Sequence, residues 1–489
     1  MTSVLAHPVR PPDPTGLVPR RGAVALVAAV AALLWLPNLA RPLSSDEGGF
    51  LLVASQWSPG TSLYGDYWVD RPPLLIAVFR LADLGGGLLA LRVIGLLAVM
   101  VSVLLAGRIG SVAAPGVRRA PVLVAATAAV FVTTPLFGAS EVDGELLAVP
   151  FVLASVLCTL EALQRPGWRW WAGAGATAMA AVLVKQSMAD GFVLAGVAVL
   201  WLATHRRARD AVDAIAYVGL GAVACLGVAL AWAAAHGTGP IGLWHAVVTF
   251  RAEAASVISA KSSPATSHRA LALATSFLAS GAIVVLLAAF LPRGHRPVTG
   301  PDLRVLATAV LGWEVIGIAF GGSYWLHYLL GLVPGLVLAA SAVAAYRPAR
   351  RRLLVAGLAY AAVAGIVSTA GLAVHDSTVP SDVSVSRYLA AHKAPGDTGV
   401  VGFGNPAILE AAGLDSPYPQ LWSLPVRVLD PRLADFTRVI AGPHAPTWAV
   451  VNGTSLATWG VDASRAQPVF DREYRLVDVA GDYRVYHLR

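Results

Sequence analysis

The sequence predicts a polytopic α-helical membrane protein of about 11 transmembrane helices, with interfacial helices in its first long loop and a small C-terminal α/β domain. Three observations lead to this fold class. Hydrophobic residues make up 56% of the 489 residues, charged residues make up 13%, and the mean hydropathy is +0.66. Long apolar runs recur between short charged clusters, as in helical membrane proteins. After residue 375, shorter strand-like and helix-like segments replace these runs.

The predicted membrane helices are the apolar runs, most of which approach the roughly 20 residues that a bilayer requires. Residues 1–22 are polar and lack a small-residue cleavage site, so we expect a cytoplasmic tail rather than a signal peptide. The run 73–84 is short and contains Arg80 and Asp83, which favours a helix along the membrane interface. The spans are predicted near residues 23–40, 88–109, 121–137, 147–163, 170–184, 190–204, 212–235, 270–291, 305–320, 328–345 and 353–374.

The basic residues predict the orientation of these helices. If the run 73–84 does not cross the membrane, the N-terminus and five loops share one side and contain 18 arginines and no lysine. The opposite loops contain seven basic residues over a greater length. Because basic residues concentrate in cytoplasmic loops, we expect a cytoplasmic N-terminus and an extracytoplasmic first loop, residues 41–87. This bias accounts for the net charge of +8, so nucleic acid is not an expected partner.

Two domains follow the tail in this interpretation. Residues 23–375 form the transmembrane domain, and residues 376–489 form an extracytoplasmic α/β domain. In the second domain TGVVGFG, TWAVVNG, YRLVDVA and YRVYHL are typical of strands, whereas SRYLAAH and PAILEAAGL are typical of helices. GFGNP lacks a full phosphate-binding glycine fingerprint and indicates a plain strand-to-helix turn.

The stretch PLSSDEGGF after the first span contains the candidate catalytic base. Ser44 and Glu47 have the spacing of a capping box, which predicts that a helix begins here. Asp46 then lies in the first helical turn, where free backbone N–H groups and the helix dipole favour an ionised carboxylate. Such a carboxylate on a fixed backbone suits a general base. The alternative is an acid that only complements the helix dipole.

The later part of this loop, GDYWVDRPPLL, contains a candidate phosphate ligand. Arg71 precedes Pro72 and Pro73, so its backbone is extended and the interfacial helix starts at the prolines. A guanidinium at this level can bind two phosphate oxygens through its planar fork. The alternative role of Arg71 is an anchor for anionic lipid.

Three further polar segments lie at the ends of spans on the same predicted side. Each of their residues is explicable alone as an interfacial residue. Together they bring acids, cations and aromatic rings to one face of the membrane, which fits a substrate with a lipid tail, a phosphate and a polar headgroup. Glu314 lies in the middle of a span, where a hydrogen bond to a neighbouring helix is the default expectation. The segments are SEVDGELL with Glu141, Asp143 and Glu145, LVKQS with Lys185, and SYWLHYLL with Tyr324, His327 and Tyr328.

These motifs resemble a known family in their order along the chain. SSDEGGFLLVASQW followed by GDYWVDRPPLL is similar to the first outer loop of the GT-C membrane glycosyltransferases. The similarity is greatest to the family 39 group, which includes the protein O-mannosyltransferases and the lipid A aminoarabinose transferase. In that group an Asp-Glu pair follows the first span, and a Lys-Pro-Pro-like motif precedes an interfacial helix. Here the pair is Asp46 and Glu47, and Arg71 replaces the lysine.

The resemblance extends over most of the predicted transmembrane domain. The family has an acidic residue after its third or fourth hydrophobic segment, which Asp143 matches best and Glu145 matches as the alternative. Lys185 corresponds to the lysine of an LTKGP-like turn, although the Gly-Pro is absent here. HYLLGLVPG is similar to a YYLLPxxP-like helix start and contributes His327 and Tyr328.

The resemblance implies a GT-C fold and transfer of a sugar, a hexose or a pentose, from a polyprenyl-phosphate donor to an extracytoplasmic hydroxyl group. The acceptor would be a glycan, a lipid or a protein. Asp46 would act as the general base in one displacement that inverts the anomeric centre. Arg71, with Lys185 or His327, would hold the departing phosphate. The other residues that we expect to bind donor or acceptor are Glu47, Asp143 and Tyr328.

Neither a cofactor nor a metal is expected. Family 39 relatives are generally not metal-dependent, and the sequence contains no Cys/His cluster. The two cysteines, Cys158 and Cys225, lie inside apolar runs as small core residues.

A transporter or flippase of a lipid-linked substrate is the main alternative function. It would favour ionisable residues near the bilayer midplane and inverted repeats, whereas here, apart from Glu314, such residues collect at the outer ends of spans. A scaffold that only presents the C-terminal domain would give no reason for Asp46, Arg71 and Lys185 to share a side. A membrane glycosyltransferase is therefore the predicted function.

Overall fold

The protein is mostly helical, and a computed structural model describes its residues 19–165, 167–260, 264–291, 300–375 and 379–489. Most of the predicted N-terminal tail lies outside these ranges. The predicted spans lie on helices, but the span 270–291 covers parts of two helices, Pro264–Ala279 and Ala282–Phe290, and the spans 23–40, 121–137 and 328–345 each join an α-helix to a 3-10 helix. The helices of the larger, N-terminal part are α1 (Pro19–Trp35), α2 (Ser45–Ser55), α3 (Pro73–Leu84), α4 (Leu88–Ala113), α5 (Ala120–Thr133), α6 (Gly144–Gln164), α7 (Trp168–Val184), α8 (Asp190–Thr204), α9 (Ala208–Ala235), α10 (Pro240–Trp244), α11 (Phe250–Ala260), α12 (Pro264–Ala279), α13 (Ala282–Phe290), α14 (Leu303–Gly321), α15 (Val333–Tyr346) and α16 (Arg351–His375).

Several of these helices are suited to cross a membrane. Among the described residues, seven helical segments are long and apolar enough, and the pair α12 and α13, bent by 61°, forms an eighth candidate. The apolar helices α5 and α8 are shorter. The protein is therefore a multi-pass membrane protein, and the number of 11 spans stays a prediction. The seven segments are Gly22–Ala40, Leu88–Ala113, Gly144–Gln164, Ala208–Ala235, Leu303–Gly321, Leu326–Tyr346 and Pro348–Val374.

The first long loop forms two short helices. α2 begins at the predicted capping box, where the Glu47 N–H donates to Ser44 Oγ at 3.3 Å and the Ser44 N–H donates to Glu47 Oε2 at 2.9 Å. α3 has only 12 residues, too few to cross a bilayer. It buries Leu75, Ile76 and Phe79 and exposes its other face, as an interfacial helix does. The capping-box prediction is confirmed.

The C-terminal domain is a small α/β unit, as predicted. Its strands are β1 (Gly399–Gly402), β2 (Trp448–Asn452), β3 (Tyr474–Ala480) and β4 (Tyr483–Leu488), and its helices are α17 (Ser381–His392), α18 (Ala407–Ala412), α19 (Ser423–Leu429), α20 (Ala434–Ile440) and α21 (Ala466–Glu473). The strands form one sheet in the order β1-β2-β4-β3. β1 and β2 run parallel, and β4 runs antiparallel to both of its neighbours. GFGNP forms the predicted turn between β1 and α18.

The C-terminal domain packs against the first loop at one end of the helical bundle. The Trp68 N–H donates to Pro419 O at 3.0 Å, and the Ser416 N–H donates to the Tyr67 hydroxyl at 2.7 Å. These bonds join the aromatic stretch of the loop to the segment between α18 and α19. We call this end of the bundle, with residues 41–87 and the C-terminal domain, the loop face, and the other end the opposite face.

Candidate active site

A cavity of about 290 Å³ lies at the loop face, between the first loop, the segment before α15 and the C-terminal domain. Its walls combine charged and aromatic side chains. Four of the predicted site residues line it, namely Asp46, Arg71, His327 and Tyr328. The acids of the wall are Asp46, Asp70 and Glu141, the arginines are Arg71, Arg251, Arg269 and Arg427, and the aromatic residues are Phe50, Trp325, Tyr328, Trp422 and Trp459.

Asp46 lies in the cavity wall, as a base requires. The capping box fixes the first turn of α2 and therefore the backbone from which this side chain projects. The residue is partly exposed, and its Oδ1 accepts a hydrogen bond from Trp422 Nε1 at 3.0 Å. The carboxylate therefore borders the space in which a substrate hydroxyl could bind.

Glu47 is held away from this cavity. It is fully buried, accepts hydrogen bonds from Arg92 at both oxygens, with 2.9 Å to Oε2, and accepts one from the Val142 N–H at 2.7 Å. Burial raises the pKa of Glu47, and the neighbouring Arg92 offsets this only in part. Glu47 thus ties the start of α2 to α4 and to the segment before α6. Its expected contact with a substrate stays a prediction that this geometry does not favour.

Arg71 shares one carboxylate with a second arginine. Asp70 Oδ1 lies 2.8 Å from Arg71 Nη1, and Asp70 Oδ2 lies 2.8 Å from Arg251 Nη2. Burial raises the pKa of Asp70, but the two guanidinium groups outweigh burial, so that its pKa is lowered. With Asp70 ionised, Asp70, Arg71 and Arg251 together carry one net positive charge beside the cavity. This charge suits an anionic ligand.

Two further arginines add positive charge to the cavity. Arg269 Nε donates to Ser323 O at 2.8 Å, and its guanidinium lies 4.6 Å from the ring centre of Trp325. Arg427 Nη2 donates to Val257 O at 3.1 Å. Within the described part of the chain neither guanidinium forms an ion pair with a carboxylate.

His327 contacts two acids at the start of α6. Its Nδ1 lies 3.2 Å from Glu141 Oε1 and 3.3 Å from Asp143 Oδ2. Asp143 also caps α6, since its Oδ1 accepts from the Leu146 N–H at 2.8 Å. Burial raises the pKa of Asp143 well above its ordinary value, although the neighbouring His327 acts to lower it. The potential ligand atoms of these three residues lie within 4.8 Å of one another and could hold a metal ion, so the expected absence of a required metal stays a prediction.

Lys185 has the anionic partner that its buried position requires. Its Nζ lies 2.8 Å from Glu145 Oε1 and 5.3 Å from the ring centre of Tyr328. Lys185 and Glu145 line a second cavity of about 280 Å³, which shares Arg251 and Tyr328 with the first.

The acids at the start of α6 have different partners. Asp143 lies with His327, Glu145 lies with Lys185, and neither acid lines the first cavity. Glu141 is the acid of this segment that does.

Glu314 faces the second cavity instead of serving only as a link between helices. It lies beside Asp190 of α8, and a Cβ at Gly331 would come within 2.0 Å of its Oε2. Among the described residues no hydrogen bond to its Oε1 is found. The carboxyl groups of Glu314 and Asp190 are nevertheless close enough for a side-chain hydrogen bond between α14 and α8, in agreement with the expected interhelical link.

The rim of the first cavity contains backbone conformations that side chains rarely adopt. Trp459 lines the cavity with a φ of 58°, Phe403 has a φ of 65° beside the lining residue Gly404, and Tyr324 has a φ of 55° between the lining residues Ser323 and Trp325. Left-handed conformations of large residues persist where the surrounding packing imposes them, and they concentrate at functional sites.

Several cavity residues are absent from the sequence-based expectation. Arg251 and Arg269 are two of the few basic residues on the predicted outer side. Their rarity there could have identified them as candidate site residues. Trp422 and Arg427 lie in the C-terminal domain and carry no local signal, because only the packing of that domain brings them to Asp46.

One protein family and several solved structures are similar to this chain. A family model described as dolichyl-phosphate-mannose-protein mannosyltransferase matches residues 70–232. The chain is similar to ArnT from Cupriavidus metallidurans bound to undecaprenyl phosphate, with a TM-score of 0.59 and 16% identity over 95% of this chain and 98% of that one. It is also similar to apo ArnT from the same organism, with a TM-score of 0.45 and 14% identity over 95% of this chain and 97% of that one. For the arabinofuranosyltransferase AftD from Mycobacteria the TM-score is 0.47, with 17% identity over 97% of this chain and 42% of that one.

No curated protein matches the chain. The family model and the fold shared with undecaprenyl phosphate-bound ArnT confirm the predicted resemblance to the GT-C membrane glycosyltransferases.

Proposed function

We propose that this protein transfers a sugar from a polyprenyl-phosphate donor to a hydroxyl group of an extracytoplasmic acceptor. The observation that carries the proposal is the partly exposed carboxylate of Asp46 in the wall of a cavity that also contains four arginines. One group can take a proton from a hydroxyl, and the others can bind a phosphate. The ArnT structure with undecaprenyl phosphate supports a lipid phosphate as the donor.

The reaction consists of one displacement. The acceptor oxygen attacks the anomeric carbon while Asp46 takes the hydroxyl proton. The bond between this carbon and the phosphate oxygen breaks, and its electron pair leaves with the polyprenyl phosphate. This phosphate is a stable anion, so no general acid is required. Attack from the face opposite the leaving group inverts the anomeric centre.

The basic residues of the two cavities would bind the phosphate of the donor. Arg71 and Arg251 flank Asp70, both line the first cavity, and Arg251 also lines the second, so a donor phosphate could bind beside them. They would stabilise the negative charge that develops as the phosphate departs. Lys185 is neutralised by Glu145, so it would contribute through its position in the second cavity with Tyr328 rather than through net charge.

The apolar α14 side of the second cavity suits the first part of the polyprenyl chain. Besides Lys185 it is lined by Ile318 and Phe320 of α14, and Phe320 is 84% exposed, toward the lipid in this interpretation. A lipid whose phosphate lies near Arg251 could leave the site along this wall. The shared residue Tyr328 would then lie between the lipid and the sugar.

We also propose that the loop face is extracytoplasmic. The loops that the sequence predicts to be cytoplasmic, together with the N-terminal tail, contain 18 arginines, and arginine-rich loops of membrane proteins face the cytoplasm. The C-terminal domain and the acceptor would then share the outer side.

The test uses Asp46→Asn in membranes that supply the acceptor. The probes are undecaprenyl phosphates that carry tritiated hexoses or pentoses, and the readout is label in the cell-envelope fraction. We expect a loss of about 100-fold or more, because a general base contributes roughly 10²–10⁴ to the rate. Asp66→Asn is the matched control, since Asp66 is an exposed acid of the same loop outside the cavity. An Asp46→Asn variant with the wild-type rate would exclude Asp46 as the base.

A transporter of the same lipid is the second candidate. The adjacent carboxyl groups of Glu314 and Asp190 inside the bundle favour it, because transporters place such groups within the membrane. It would be preferred if the wild-type protein transferred no sugar from any probe but moved labelled lipid across sealed vesicles.

A further inference from the structure

We propose that Trp422 is a positioning residue for Asp46, so that the C-terminal domain completes the active site. This inference rests on the proposed function, because it takes Asp46 as the general base. It assigns a catalytic purpose to a domain that otherwise resembles an appendage.

The direct contact is the hydrogen bond from Trp422 Nε1 to Asp46 Oδ1, at 3.0 Å and across 376 positions of sequence. In the described part of the chain no other hydrogen bond reaches this carboxylate. The bond restrains the carboxylate through Oδ1, and among the described residues no donor is found for Oδ2. A base needs such an arrangement, with one oxygen held and the other available to the substrate.

The indole ring itself is held in place by packing. Its centre lies 5.3 Å from that of Phe50, one turn after Asp46 on α2. A Cβ at Gly49 would come within 2.2 Å of Trp422 Cζ2, and a Cβ at Gly48 would come within 2.4 Å of Ala407 Cα. The two adjacent glycines weaken α2 as a helix but let the C-terminal domain approach its first turns.

A second bond holds the domain against the same turn of α2. Ser45 Oγ donates to Gly404 O at 2.9 Å, in the turn between β1 and α18. Together with the bonds from Trp68 and Ser416 described above, this contact makes the domain a fixed wall of the cavity. Trp422 is therefore positioned by the whole interface and not by its own hydrogen bond alone.

The test compares Trp422→Phe with Trp448→Phe in the full-length protein, with the same tritiated probes. Phenylalanine keeps an aromatic ring in the packing but removes the N–H donor together with part of the indole volume, and the control variant loses the same volume. Trp448 is the matched control, because its Nε1 donates to Asp397 Oδ2 at 2.9 Å inside the C-terminal domain, away from the cavity. We expect Trp422→Phe to lower kcat about 10- to 100-fold, the scale expected when a catalytic group is misplaced, with KM for the donor unchanged.

Two outcomes would overturn the inference. One is a wild-type kcat for Trp422→Phe, and the other is a loss of kcat that Trp448→Phe reproduces. Trp422→His distinguishes loss of the hydrogen-bond donor from loss of packing. The ring N–H of histidine can replace the lost donor and should restore part of kcat. Melting temperatures of the purified variants identify any loss that comes from unfolding.

The Asp46→Asn variant distinguishes this inference from the proposed function. If Asp46→Asn is inactive and Trp422→Phe is fully active, the positioning role is wrong and the proposed function stands. If Asp46→Asn transfers sugar at the wild-type rate, Asp46 is not the base and the positioning role of Trp422 is wrong with it, whereas sugar transfer itself stands. In the Asp46→Asn background Trp422→Phe should cause no further loss, since it acts through Asp46.

Discussion

The loop face and the opposite face of the bundle both contain arginines, but in different surroundings. At the opposite face Arg108 lies 2.5 Å from Glu161, Arg207 lies 2.6 Å from Asp210, and the side chains of these arginines are 53% and 37% exposed. At the loop face four arginines line a cavity, where two of them share Asp70 and the other two have no carboxylate partner among the described residues.

The difference separates orientation from chemistry. Exposed ion pairs such as Arg207–Asp210 contribute only about 0–1 kcal/mol. Glu161, the partner of Arg108, is buried, but Arg108 itself is exposed, and the orientation of the helices explains the arginines of this face. Arginines in a cavity lose part of their hydration, and an anionic ligand offsets this loss. Charge at one end of the bundle therefore indicates topology, and charge at the other end indicates a site.

The largest expected effect is a loss of stability when a buried acid of the loop face is neutralised, compared with an exposed acid of the opposite face. Glu47→Gln should destabilise the protein by about 3–5 kcal/mol, because it leaves the buried Arg92 without its counter-charge. Asp210→Asn, which breaks the exposed pair with Arg207, should cost about 0–1 kcal/mol. Thermal unfolding in detergent measures both. Equal losses would show that burial does not distinguish the two faces.

Next in size is the effect of an arginine at the loop face. Arg71→Gln should lower sugar transfer about 100- to 1,000-fold, because it removes a donor aimed at the departing phosphate. Arg71→Lys keeps the charge that the resembling family has at this position, so it should retain more activity than Arg71→Gln. Arg207→Gln at the opposite face is the control and should transfer at the wild-type rate. If both glutamine variants lost activity equally, the arginines of the two faces would not differ in function.

A smaller effect is expected at the C-terminal wall of the cavity. Arg427→Gln should raise KM about tenfold, since a hydrogen bond to a charged group contributes roughly 1.5–3 kcal/mol and part of it remains with glutamine. Arg438→Gln is the matched control, because Arg438 is an exposed arginine of the same domain that pairs with Asp435. The measurement is initial rate against donor concentration. An unchanged KM for Arg427→Gln would remove this arginine from the binding site.

The smallest expected effect is that of a chelator. EDTA should change the rate by less than about twofold, because phosphate departure is assigned to arginines and not to a metal ion. The measurement is sugar transfer by membranes washed with EDTA. Loss of activity that added Zn²⁺ or Mg²⁺ restores would contradict this and would point to Glu141, Asp143 and His327 as ligands.

Much of the local structure could be predicted from the sequence. The capping box of Ser44 and Glu47, the short helix α3 and the four strands of the C-terminal domain all follow from residues within a few positions of one another. The side chains Asp46 and Arg71 were also predicted for the site, because each belongs to such a local pattern and both lie in one loop.

The partners of these side chains could not be predicted in the same way. Asp70 with Arg251, and Asp46 with Trp422, are contacts between distant segments whose approach depends on the packing of loops and domains. The adjacent acids Asp46 and Glu47 look equivalent in sequence, but packing directs Glu47 to Arg92 and leaves Asp46 at the cavity.

The sequence by itself determined the membrane helices, the strands of the C-terminal domain and the start of α2, because hydrophobicity, strand propensity and helix capping act over short distances along the chain. Only the tertiary structure decided which carboxylate faces the cavity, which arginines surround it and which tryptophan holds it. Those choices depend on how buried charges and close-packed segments find partners across the fold, which no local pattern encodes.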